Sequence, residues 1–249
     1  MALLDRFPPR VRDALLDAWA VLAPTQCAGC GAPDRALCAA CRGALLAASP
    51  ARTELPRGDG TALPVWFAVE YAGAARQVLL AFKDGGRTDA ASALAHALRA
   101  AVRAALAATP PAARGRVELA AIPSTRAARR RRGYDHVRLL LARAGYRDSR
   151  LLRAVRKAAD QAALGADARR ENRRGWLAAR GRPRGRAVLV VDDIATSGAT
   201  LLEADRALRA AGATVLGAVV VARTKRRIPP LETSGKRREI VRDNLGERG

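Results

Sequence analysis

Aromatic residues are scarce, at 4% of 249 residues. That scarcity argues against a platform of stacked bases for single-stranded nucleic acid. No apolar run reaches about 18 residues, so no membrane span is expected. The first 23 residues carry Asp5, Arg6, Arg10, Arg12, Asp13 and Asp17 in place of the apolar core of a secretory signal. A cytoplasmic location with reduced thiols is therefore expected. Lysine is nearly missing, with 4 lysines against 41 arginines. Among so many alanines, that skew looks like GC-rich coding. The net charge of +22 is still a real field, favouring polyanions and phosphorylated ligands. His96 falls beside Leu94 and Leu98 in a helical pattern and reads as a surface or packing residue.

What is present divides the chain in three. Residues 1–48 hold an amphipathic helical pattern over 8–22 and all four cysteines; 65–225 read as an α/β domain; 226–249 are charged and read as a disordered tail. The stretch 49–64, with three Pro and two Gly, reads as a linker. Cys27 and Cys30, then Cys38 and Cys41, form two CxxC knuckles, a spacing that brings four thiolates to one tetrahedral point. A closed four-thiolate zinc site is structural, and binding energy on the order of 10 kcal/mol would fold a stretch too small to bury its own core. Two disulfides are the alternative, disfavoured by reduced surroundings.

The centre of the chain is residues 188–200. Val188, Leu189, Val190 and Val191 read as a strand buried on both faces. Asp192 and Asp193 close it. Ala195, Thr196, Ser197, Gly198, Ala199 and Thr200 make a turn of small and hydroxyl residues that opens a helix ending at Gly212. Such a unit aims backbone N–H groups and a positive dipole end at an anion. The acids just before it suit the hydroxyls of a sugar whose phosphate fills the turn. No Lys follows the Gly, which excludes a Walker loop, and acids ahead of the turn exclude a dinucleotide fingerprint. An ordinary strand–helix connection capped by Asp is the bland alternative.

Other segments read in order as a strand at 65–71, helices at 74–82 and 90–108, strands at 117–122, 151–155 and 214–222, and a helix running to Arg143. Arg126 and Arg132, in a basic run after a strand end, are candidates for pyrophosphate, against a plain solvated loop. Arg156 and Lys157 open a polar stretch that reads either as a mobile basic lid over a ligand or as a helix pair.

Residues 192–200 resemble the phosphoribosyl pyrophosphate (PRPP) signature of type I phosphoribosyltransferases, with Ser197 where Thr is frequent. Four further pieces stand in order around it: the cysteine knuckles, residues 80–85 (Leu-Ala-Phe-Lys-Asp-Gly), Ile122 and Pro123 followed by Arg132, Gly133, Tyr134, Asp135 and His136, and Gln161, Arg169 and Asn172. Over about residues 20–225 the chain resembles the ComF family of competence-associated phosphoribosyltransferase-like proteins. Asp135 and His136 stand where that family usually has Asn and Gln, and Ser124 where it has an aliphatic residue. The resemblance implies a type I phosphoribosyltransferase-like parallel sheet flanked by helices, PRPP binding with Mg²⁺, and a link to DNA uptake. Asp192 and Asp193 would be the catalytic pair. It names no acceptor. A non-catalytic scaffold of the same fold, working with DNA and the uptake machinery, is the competing reading.

Overall fold

The computed structural model describes Pro8 and residues 25–33, 35–110, 116–155 and 175–225. The rest of the expected 8–22 helix, the 156–174 stretch with Arg156, Lys157, Gln161, Arg169 and Asn172, and the 226–249 tail lie outside the described residues.

Two strands form the middle of a five-stranded sheet. In β6 (Ala187–Ala195), Val188 to Val191 are fully buried, and in β7 (Thr214–Arg223) so are Ala218 to Ala222. Strands covered on both faces carry aliphatic runs without alternation, as these do. The sheet order is β1-β2-β7-β6-β3, where β1 is Ala51–Pro56, β2 is Ala62–Glu70 and β3 is Val117–Ala121. β2, β7, β6 and β3 run parallel, and β1 alone is antiparallel.

The β1–β2 hairpin corrects the linker reading of 49–64. Leu55 faces Leu63 across it, and both are buried. Asp59 closes the turn by accepting from the Thr61 N–H and hydroxyl. Pro56 ends an edge strand, where a missing N–H costs nothing. The prolines and glycines therefore punctuate a hairpin.

Helices α1 (Ala39–Leu46), α2 (Gly73–Lys83), α3 (Ala91–Ala107) and α5 (His136–Arg143) cover one face, packing on Leu189, Val191, Val219 and Val221. The other face, with Val188, Val190, Ala218 and Val220, is covered by α6 (Ala199–Ala210) and a ribbon of β4 (Leu152–Ala154) and β5 (Leu177–Ala179). The basic run, for which a solvated loop was the plain alternative, forms the short helix α4 (Arg126–Arg132) because Thr125 caps it, accepting from the Ala128 N–H. Buried Glu203 of α6 accepts from the Gly175 and Leu177 N–H groups and pairs with Arg206, which locks α6 to the ribbon. Among the described residues no helix is long and apolar enough to cross a membrane.

Cys27, Cys41, Leu37 and Leu45 share one core with Val78, Leu79, Phe82 and Leu94. The knuckle thus has no separate core; it completes that of α2 and α3. Arg87 fastens it from outside, donating to the Gln26 and Ala36 carbonyls while paired with Asp89.

Candidate functional site

β6 and β7 deliver the site at their carboxyl ends, where parallel α/β sheets offer a crevice to ligands. Thr224, just past β7, ties the 195–196 turn down: its N–H donates to the Ala195 carbonyl and its hydroxyl to the Thr196 carbonyl. Thr196 and Ser197 are exposed. Ser197 Oγ accepts from the Ala199 N–H at 3.4 Å. Gly198 initiates α6 with φ +77° and gives it no side-chain cap. A Cβ at Gly198 would lie 2.4 Å from Leu55 Cδ1, so the residue answers both a left-handed backbone and a close approach of the hairpin.

The two acids have different surroundings. Asp193 is 2% exposed, and its Oδ2 lies 3.2 Å from Lys83 Nζ and 3.2 Å from His136 Nε2. These contacts are electrostatic; Oδ2 has no aligned hydrogen bond. Burial would push this carboxyl up, but His136 and Lys83 outweigh it and hold it below the ordinary aspartate value. Asp192 is partly exposed, and its Oδ1 accepts from the Asp193 N–H. Burial, and then the adjacent Asp193 charge, push its pKa well above the ordinary value. Burial works against the Lys83 ammonium, yet Asp193 and Asp192 overcome it and raise its pKa.

A chain of polar contacts runs outward from Asp193. His136 Nδ1 lies 3.1 Å from Ser124 Oγ and 3.2 Å from an Arg132 guanidinium nitrogen. Arg132 reaches Asp84 Oδ1 at 3.3 Å. Tyr134 anchors the α4–α5 junction by donating to the Phe82 carbonyl, with its ring tilted on Phe82. Of the two arginine candidates, only Arg132 joins this chain. Arg126 is exposed, and among the described residues no hydrogen bond or ion pair ties it to the acids. Lys83, Ser124 and His136 were given no role from sequence. The available signals were that Lys83 falls within the 80–85 piece of the resemblance, and that Ser124 and His136 sit where the resembling family has other residues.

The cysteines meet beside α2, in the core that holds Val78, Leu79 and Phe82. Their four sulfurs all lie within 4.8 Å of one another, and the Cys30 and Cys38 sulfurs are 3.7 Å apart. A tetrahedral ion with bonds of about 2.3 Å to sulfur sets its ligands about 3.8 Å apart, while a disulfide is about 2.05 Å. All four thiols are free. Backbone N–H groups of Gly29 and Cys38 donate to Cys27 Sγ, and that of Cys41 to Cys38 Sγ. For Cys27, burial pushes the thiol up, but the N–H groups of Cys38, Gly29 and Cys30 bring it down to about 6. Burial and the neighbouring sulfurs push Cys41 up. One thiolate stabilised among crowded sulfurs is a donor set that fits a divalent soft cation. A Cβ at Gly29 would meet Cys41 Sγ at 2.6 Å, so glycine is needed for the sulfurs to converge.

Residues 140–243 match the phosphoribosyl transferase domain family. The match contains both acids, the 195–200 turn, α6 and β7, and begins within α5 just past His136. No curated protein matches the chain.

Proposed function

We propose that this chain binds PRPP, or a related ribose 5-phosphate ligand, and acts as a ComF-like phosphoribosyltransferase. One observation carries the reading. A partly exposed acid, Asp192, stands near the carboxyl end of a buried strand that leads into a small-residue turn, and the helix after that turn begins without a side-chain cap. In this reading the 5′-phosphate occupies the turn of Ala195, Thr196, Ser197, Gly198, Ala199 and Thr200. The matched domain family supports it, as does the positive charge of Lys83 and Arg132 nearby.

Phosphoribosyl transfer breaks the bond from the anomeric carbon to pyrophosphate through an oxocarbenium-like state. The protein must hold the ribose, offset charge leaving with pyrophosphate, and exclude water. Asp192 takes the ribose hydroxyls and stabilises the cationic ring. Asp193 sets the position of Lys83 beside it, and Lys83 and Arg132 face the departing pyrophosphate. Mg²⁺ arrives with the substrate and supplies further charge neutralisation. Cys27, Cys30, Cys38 and Cys41 hold zinc in a structural role. The link to DNA uptake rests on the resemblance of the ordered motifs.

Calorimetric titration with PRPP and Mg²⁺ tests the binding, and release of pyrophosphate from PRPP with pooled bases and nucleosides tests transfer. PRPP binding without release in any pool selects the non-catalytic scaffold. No PRPP binding overturns the proposal.

A second reading has one observation of its own. Arg126, Arg129, Arg130 and Arg131 are all exposed on α4, and no residue of that helix is buried. Such a surface suits the phosphate backbone of DNA.

A further inference from the structure

We infer that His136 is a positioning residue of the ribose-phosphate site, with its ring fixed in the Nε2–H tautomer between Asp193 and Arg132. The inference rests on the reading above and deepens it by naming what aims the guanidinium. A guanidinium has donors and no acceptor. Its contact with Nδ1 at 3.2 Å therefore needs a lone pair on that nitrogen, and the Ser124 hydroxyl at 3.1 Å can donate to the same side. The ring proton is left on Nε2, 3.2 Å from the Asp193 carboxylate. Arg132 has little else to hold it. Its side chain is 8% exposed, its Nε is buried without a hydrogen-bond partner, and its other contact is Asp84 at 3.3 Å. The ring thus transmits the buried negative charge of Asp193 to the guanidinium as an orientation.

The groups that face the ring or its partners are Ser124 beyond β3, Arg132 of α4, Lys83 and Asp84 at the end of α2, and Asp192 and Asp193 of β6. A proton on Nδ1 would set two donors against each other at the Arg132 guanidinium. Glutamine reproduces the neutral bridge, donating to Asp193 through its N–H and accepting from Arg132 through its carbonyl. Leucine has similar bulk and neither group.

The test uses the full chain as wild type, His136→Gln and His136→Leu. Each is titrated calorimetrically with PRPP and Mg²⁺. Nitrogen NMR reads the wild-type imidazole, assigned by the signal missing from His136→Gln. The expected result is that His136→Gln binds within about threefold of wild type. His136→Leu is expected to bind about tenfold or more weakly. The expected NMR signature is a bare Nδ1 and a protonated Nε2. Retained affinity in His136→Leu, a loss in His136→Gln as large as that in His136→Leu, or a proton on Nδ1 would each overturn the inference. If His136→Leu does not fold, the comparison of wild type with His136→Gln still decides it. If no folded variant binds PRPP, the ribose-phosphate reading has failed. The inferred ring arrangement then stands with a proton on Nε2 and falls with one on Nδ1.

Discussion

Two neighbouring aspartates have been given opposite electrostatic situations by the residues around them. Asp193 faces Lys83 and His136, which hold its pKa below the ordinary 3.8. Its stabilising contribution is present above the unfolded value near 3.8 and is lost as pH falls toward the depressed folded value. Asp192 has its pKa raised, by burial and then by Asp193. For it the sign reverses: a penalty appears as pH climbs past 3.8 and is in force at neutral pH. The isosteric changes should therefore separate. At neutral pH Asp193→Asn should lower the melting temperature, since Lys83 loses its buried partner. Asp192→Asn should leave the melting temperature equal or higher while weakening PRPP binding by about tenfold or more, the loss of a charge-assisted bond. Thermal melts and calorimetry on the same samples check both signs. A drop in stability from Asp192→Asn with unchanged affinity would make it a structural acid and nothing more.

At the level of elements, the strand–turn–helix of β6 and α6 was legible because each part has a local cause: an aliphatic run, a small-residue turn, a helical repeat closed by Gly212. The expected helices at 74–82 and 90–108 and strands at 117–122 and 214–222 fall close to α2, α3, β3 and β7 for the same reason. The hairpin was not legible. Its register depends on Leu55 and Leu63 meeting across a turn, and local composition shows only the turn formers. β5 was missed because three residues carry too little pattern. The contacts among Lys83, His136 and Asp193 join three distant segments, and no local spacing announces them. The hairpin has a consequence for the turn, because Leu55 packs where a Gly198 side chain would be. Gly198→Ala should cost about 2–4 kcal/mol, from the left-handed backbone and the overpacking together. Leu55→Ala should relieve only the second part. The double variant should then be about 1 kcal/mol or more better than the sum of the singles in denaturant melts. Strict additivity would show that the hairpin and the turn are independent.

For the whole molecule, the charge of +22 and the exposed arginines of α4 lead to one expectation. Double-stranded DNA should bind weakly and without sequence preference, and binding should fall steeply with salt, because counterion release dominates such contacts. With 4% aromatic residues, single strands should gain no advantage. Fluorescence anisotropy over a salt series checks this, and binding that persists near molar salt would contradict it.

The cysteine knuckle gives the last expectation, because the helix it packs against also carries Lys83. α2 packs against the knuckle through Val78, Leu79 and Phe82, and its final residue, Lys83, reaches Asp193. Tyr134, which donates to the Phe82 carbonyl of α2, holds the α4–α5 junction and so the neighbourhood of Arg132 and His136. A knuckle with a core of its own could unfold without consequence for the site. This one has Cys27 and Cys41 inside the core shared by α2 and α3, so its loss opens that core beneath Lys83. One zinc per chain is expected by elemental analysis of anaerobically purified protein. Removing it with a chelator, or changing Cys38→Ser, should lower the melting temperature of the whole protein in a single transition and weaken PRPP binding in parallel. Acid should release the metal, since protons compete for the thiolates. Two separate melting transitions, with PRPP affinity unchanged in the chelated protein, would show that the knuckle is an appendage and that Lys83 is positioned without it.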